Sequence, residues 1–252
     1  MEIILSVKDL HKSFGGVKAL AGVNVDVFEG ELIGLIGPNG SGKTTLFNTI
    51  SGLVKPDKGT IYFLGKRIDG LEPSEIYKLG LVRSFQTPRL YSGLTVLENL
   101  LVPPKDQIGE KIIYAPFKSK WSKQEKKFGA DARSVSTLVE LGDVIHNFAR
   151  EISGGQMKLL ELGRTLMGGP KLVLLDEPTA GVLPKLAEQI FAKIKELKER
   201  YALTFFIIEH RLEILFKYVE RVYAMHQGRV IAEGTPDEIM KNKEVVKAYL
   251  GG

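Results

Sequence analysis

At 252 residues and 44% hydrophobic, the chain holds enough apolar material for one large domain, or for a domain carrying a subdomain. Without cysteine it can form neither a disulfide framework nor a thiolate metal site, and its net charge of +5 (pI near 9.1) is spread among 30 acidic residues, so a solvated surface is expected and no nucleic acid partner. No apolar run reaches the roughly 18–20 residues that span a bilayer, and residues 1–8 lack the basic start and apolar core of a signal peptide, so a soluble protein is expected, free to dock on a membrane protein.

In chain order, the apolar residues 3–10 are followed by Val23, Val25 and Val27 interleaved with Asn24, Asp26 and Phe28. This alternation predicts a half-buried strand pairing with the first stretch. Between them Phe14 stands beside Gly15 and Gly16 in a predicted loop, where its ring can stack on a base or pack beneath the hairpin.

Leu32, Ile33, Leu35 and Ile36 read as a short buried strand, and Leu46, Phe47 and Ile50 give helical spacing. The stretch between them, Gly37, Pro38, Asn39, Gly40, Ser41, Gly42, Lys43, Thr44 and Thr45, fits the pattern Gly-x4-Gly-Lys-Ser/Thr. Small residues let several backbone N–H groups curl towards one anion, Lys43 reaches the β- and γ-phosphates, and Thr44 offers a hydroxyl to Mg²⁺. The following helix points its positive dipole end at the same place. A nucleotide-binding strand, loop and helix is therefore expected.

Residues 55–59 are a predicted turn and 60–64 a strand. The next strand enters residues 82–88, where Gln86 falls at the exit, a position suited to a metal or water ligand. From 88 to 165 helical patterns dominate. Within them 102–128 read as irregular, with Tyr114, Phe117, Trp121 and Phe128 among lysines; such interleaving fits nucleic acid, a membrane surface or, more plainly, a solvated helix with anchoring aromatics. Ser153, Gly154, Gly155 and Gln156 open a helix, with Ser153 as N-cap and the glycines exposing backbone N–H groups. The stretch is a second candidate anion site or a helix cap alone.

Residues 171–178 predict a strand buried on both faces that delivers Asp176 and Glu177 at its carboxyl end, where ligands sit in parallel sheets. Asp176 would position the Mg²⁺ shell and Glu177 would polarise the attacking water. Leu186, Ile190, Ile194 and Leu197 form a helical face, and the strand 203–208 ends at Glu209 and His210, with His210 placed to hydrogen-bond a γ-phosphate. Strands near 221–225 and 229–232 follow, and Thr235-Pro236-Asp237-Glu238 is a capping box opening a C-terminal helix.

In this order the motifs resemble those of the ABC transporter ATPases. Phe14 resembles the adenine-stacking aromatic, residues 37–45 the Walker A loop and Gln86 the Q-loop glutamine. Ile152 to Gln156 resemble the signature, Asp176-Glu177 the Walker B end and His210 the switch histidine. Within the family the chain is most similar to branched-chain amino acid importer ATPases, through Phe14-Gly15-Gly16, the 102–128 insertion, Ile208-Glu209-His210, and the stretches 228–236 and 246–251.

The resemblance implies an α/β P-loop NTPase with a RecA-like parallel-sheet core, an N-terminal antiparallel β subdomain and an α-helical signature subdomain. The core with its β subdomain would take residues 1–87 and 166–252, and the helical subdomain 88–165. It implies ATP and Mg²⁺ as cofactors, with Thr44, Gln86 and Asp176 on the metal and Glu177, His210 and Gln86 in catalysis. It also implies a homodimer, or a heterodimer with a paralogous subunit, in which Ser153 to Gln156 complete the neighbour's ATP site. Integral membrane permease subunits would be partners, an extracytoplasmic solute-binding protein an indirect one, and the cytoplasmic face of the cell membrane the peripheral location. Three positions depart from the family's pattern: Leu183 where Asp or Asn is usual in the D-loop, Arg211 where Asp often follows the histidine, and Ile152 where the signature usually has Leu. A nucleic-acid or translation-associated ABC ATPase is the alternative. A GTPase would need Asn-Lys-x-Asp, which Asn242-Lys243-Glu244-Val245 lacks.

Overall fold

The computed structural model describes residues 2–84 and 90–250. They divide into two compact units, one containing the described residues up to 84 together with those from Lys171 onward, the other running to Pro170.

The first unit begins with the long strands β1 (Ile3–Phe14) and β2 (Val17–Phe28), joined by a two-residue turn and paired antiparallel. Val23, Val25 and Val27 are buried as their alternation predicts. Phe14 closes β1 opposite Val17, so it belongs to the hairpin tip and not to a loop, and its side chain is exposed. β3 (Leu32–Ile36) is buried throughout and leads into α1 (Lys43–Ile50). β4 (Lys58–Phe63) and β5 (Lys66–Arg67) extend the antiparallel sheet to the order β2-β1-β4-β5, and α2 (Pro73–Leu79) precedes β6 (Leu81–Arg83).

The second unit, among the described residues, is helical. It contains α3 (Val96–Leu101), opened by a Thr95–Glu98 capping box, α4 (Lys118–Leu138) and α5 (Gly154–Met167). The irregular stretch is shorter than its composition suggests. Many lysines mask the helical pattern, yet α4 already begins at Lys118 and buries Ala132 and Ser136 along one stripe.

Back in the first unit come β7 (Leu172–Asp176), α6 (Pro184–Tyr201), β8 (Thr204–Ile208) and the short α7 (Leu212–Leu215). β9 (Arg221–His226), β10 (Arg229–Gly234), α8 (Pro236–Lys241) and α9 (Lys243–Leu250) close the chain. The larger sheet has the order β10-β9-β3-β8-β7-β6, parallel from β9 to β6 with β10 antiparallel at one edge. A parallel sheet buried on both faces needs continuous apolar strands, and β3, β7 and β8 supply them. Phe47 of α1 meets Phe206 of β8 edge-on at 5.1 Å, fixing that helix on the sheet beside the loop it follows.

Candidate nucleotide-binding site

The carboxyl ends of β3, β8, β7 and β6 are neighbours in the sheet, and the predicted polar residues of this unit emerge from them. After β3 the chain makes the loop 37–42. Gly37 has φ +151°, and a Cβ there would lie 2.2 Å from Met225 O; Gly42 has φ +104°, and a Cβ would lie 2.4 Å from Ala19 O. No L side chain fits either place, so the backbone passes where only glycine can. α1 then starts without any side-chain cap, which leaves its first-turn donors for an anion.

Lys43 is buried, and its ammonium donates to Gly37 O at 2.7 Å, Pro38 O at 3.0 Å and Ser41 Oγ at 3.4 Å. Burial pulls its pKa below the ordinary lysine value, while the charges of Glu177 and Asp176 work in the opposite direction. Thr44, next along, is exposed.

β7 ends at Asp176, one residue before the predicted carboxylate pair is complete. Glu177 leaves the strand with φ +51°, a left-handed conformation that costs a non-glycine residue on the order of 1–3 kcal/mol. Its N–H still bonds Ile208 O at 2.9 Å, while its carboxylate turns to His210, with Oε1 3.0 Å from Nε2. The predicted base and the predicted switch histidine are thus in contact. Asp176 is buried, and desolvation raises its carboxyl above the ordinary value against the opposing pull of Arg83. No group of three or more potential metal-binding His, Cys, Asp or Glu exists among the described residues. A hydroxyl and one carboxylate beside a phosphate cradle suit Mg²⁺, which keeps waters and phosphate oxygens as ligands and needs no all-protein cage.

Two residues that sequence gives no role in the site, Arg83 and Glu209, contribute to it. Arg83, at the end of β6, donates to Asp176 Oδ2 at 3.0 Å, Asn48 Oδ1 at 2.7 Å and Ser51 Oγ at 3.1 Å, tying α1 to the β7 carboxylate. A cation inside an otherwise buried strand was the available signal. Glu209, buried, accepts from Thr179 N–H at 3.1 Å, from the Thr179 hydroxyl, and from the N–H groups of His210 at 2.8 Å and Arg211 at 3.3 Å. It holds the turns after β7 and β8 together. Arg211, one of the departures, donates to Val182 O at 3.1 Å, next to the exposed Leu183.

Gln86 lies outside the described residues. Ser153 to Gln156 belong to the second unit, where Ser153 Oγ accepts from Gln156 N–H at 3.3 Å and Gln156 Oε1 accepts from Ser153 N–H at 2.9 Å.

A glycine loop closed by a buried lysine, at the carboxyl edge of a parallel sheet that also presents two carboxylates, defines a P-loop nucleoside triphosphatase. The comparisons narrow the class. The ABC transporter family model matches residues 20–180, and the model of the branched-chain amino acid ATP-binding cassette transporter matches 229–252. A Methanocaldococcus jannaschii protein named as a probable branched-chain amino acid transport ATP-binding protein, LivG, is 44% identical over 252 residues, 98% of this chain and 97% of that one. The crystal structure of the ADP conformation of an ABC transporter's ATP-binding cassette superposes with TM-score 0.87 at 42% identity, covering both chains fully. A dimeric cassette in a post-hydrolysis state bound to ADP and Pi matches with TM-score 0.77 at 27% identity over 92% of this chain and 98% of that one. The chain belongs to the ABC transporter family, as an ATP-hydrolysing subunit. Such subunits dimerise and work with membrane permease components. No helix among the described residues is long and apolar enough to cross a membrane.

Proposed function

We propose that this chain powers the import of branched-chain or other hydrophobic amino acids, as the peripheral ATPase on the cytoplasmic face of a permease pair. The match of its last 24 residues to the branched-chain amino acid cassette model carries this reading. The full-length identity to the archaeal relative supports it. A nucleic-acid-associated cassette, the alternative suggested by the basic pI, finds no support among these relatives.

In this reading residues 37–45 hold the ATP phosphates, with Phe14 beneath the adenine. Thr44, Asp176 and Gln86 would hold Mg²⁺, which would supply charge neutralisation of the phosphate oxygens. Glu177 takes the proton of the attacking water, and His210, in contact with it at 3.0 Å, orients the carboxylate and reaches the γ-phosphate. Ser153 to Gln156 close over the ATP of a second copy or of a paralogous subunit, so ATP favours the dimer and loss of the γ-phosphate releases it.

Glu177→Gln tests this. The variant is expected to bind ATP and accumulate as a dimer while turnover falls at least about tenfold, a barrier increase of roughly 1.4 kcal/mol. Unchanged steady-state hydrolysis would remove Glu177 as the base. For the solute, removing the chain from its cell should abolish uptake of labelled leucine and spare that of glutamate.

A further inference from the structure

One part of the helical unit is built in a way that nucleotide chemistry does not require. Every residue from 111 to 120 is exposed, and among them Ile112 is 90% exposed, Ile113 77% and Phe117 58%. The backbone is nonetheless closed on itself. Tyr114 and Ala115 N–H donate to Lys111 O at 2.8 and 2.9 Å, Phe117 N–H to Tyr114 O at 2.9 Å, and Lys120 N–H to Phe117 O at 2.9 Å. From beneath, the Trp121 indole N–H donates to Ala115 O at 3.1 Å, and Gln124 clamps Ile108 N–H at 2.8 Å and Asp106 O at 3.1 Å. These turns satisfy several of their backbone groups internally while Ile112, Ile113 and Phe117 stay exposed, the reverse of a surface loop's usual economy.

Charge indicates what the knob meets. Residues 105–127 carry seven lysines against Asp106, Glu110 and Glu125, a net +4 within a chain whose total is +5. Lysine heads around an apolar tip complement a surface that is anionic outside and hydrocarbon within. Their stems can lie along apolar surface while the ammonium groups meet phosphate.

We propose that residues 111–120 anchor the subunit to anionic lipid, with Ile112, Ile113 and Phe117 entering the headgroup region and Lys111, Lys118 and Lys120 on lipid phosphates. The proposal rests on the transporter reading only for the nearness of a membrane.

The full chain, without permease subunits, is mixed with vesicles of phosphatidylglycerol and phosphatidylcholine, and separately with phosphatidylcholine alone. Trp121 is the single tryptophan of the chain, so its emission reports on this knob. It should sediment with the anionic vesicles, less so at high salt, and lipids brominated on their acyl chains should quench Trp121. An Ile112→Ser/Ile113→Ser variant should lose vesicle partitioning by about tenfold or more, with ATP hydrolysis and thermal unfolding unchanged. No sedimentation at low salt would overturn the anchor, as would equal partitioning of the double variant, which leaves only diffuse charge. Binding only to vesicles that contain the permeases would make the knob a protein contact and overturn it too. If vesicle binding fails while Glu177→Gln still traps the ATP dimer, the anchor falls and the ATPase reading stands; failure of both sinks the parent reading.

Discussion

Two helices here begin at glycine-rich turns, and their first turns are completed in opposite ways. α1 follows a left-handed Gly42 and has no side-chain cap, while the Lys43 ammonium bends back onto the Gly37 and Pro38 carbonyls. α5 follows Ser153, whose hydroxyl and backbone N–H exchange hydrogen bonds with Gln156. The first helix start leaves donors and a cation for a ligand held within the same chain. At the second, two donors are already used by the chain itself, and the N–H groups of Gly154 and Gly155 remain. On the dimer reading proposed above, that difference would separate a primary cradle from a surface that completes a neighbour's site.

The largest effect expected on this comparison comes from Lys43→Met. Removing the cradle's cation should cut turnover by roughly 10²–10³-fold, the scale seen when a positioned donor to transition-state charge is lost. The variant should keep its circular dichroism spectrum, because the lysine bonds only carbonyls and one hydroxyl of its own loop. A fall of less than tenfold at saturating ATP would place the main phosphate contact elsewhere.

Next in size is Arg83→Met. Its ion pair with Asp176 is buried on both sides, so deleting one partner strands a charge and should cost about 3–5 kcal/mol in urea unfolding. Adding Asp176→Asn to that variant should recover part of the loss, because no unpaired carboxylate then stays buried. A single-variant cost below about 1 kcal/mol would show that water already screens the pair. At the α5 start the prop at stake is the pair of hydrogen bonds between Ser153 and Gln156, so the equivalent damage there should be far smaller.

How much of this was open to sequence reading follows from the range of the forces involved. The α1 cradle was legible because its requirements are local: glycine where a Cβ would strike Met225 O or Ala19 O, and an apolar run on either side. The N-cap at Ser153 and the capping box at Thr235 are equally local and appear where the sequence puts them; at Ser153 the structure adds the reciprocal bond from Gln156. The sequence places Phe14 in a loop, because adjacent glycines outweigh a strand pattern; pairing with β2 out to Val17 overrides them. The helix at Lys118 was hidden because a mostly solvated helix shows only a faint apolar stripe. Arg83 and Glu209 stayed out of sight for a different reason. Their partners lie 93 and 30 residues away in sequence, and only the sheet order brings them together. The turn at Glu177 was likewise invisible, since nothing in its neighbours announces a left-handed glutamate.

The smallest effect expected, and the one that probes the second helix start directly, is that of Ser153→Ala. Losing this cap leaves the Gln156 N–H without its acceptor and should cost about 1 kcal/mol, within the usual range of 0.5–2. Because that is roughly a fivefold change in an opening equilibrium, amide exchange in the first turn of α5 should quicken by about that factor. Ser153→Asp, which keeps an acceptor at the cap, should exchange close to the wild type. Neither variant should weaken ATP binding by the dilute isolated chain, since the cradle at α1 is intact, whereas both should shift the protein concentration at which hydrolysis accelerates. If Ser153→Ala instead lowers nucleotide affinity of the dilute chain as far as Lys43→Met does, the two helix starts serve one site within one chain, and the contrast between a cradle and its neighbour's lid is lost.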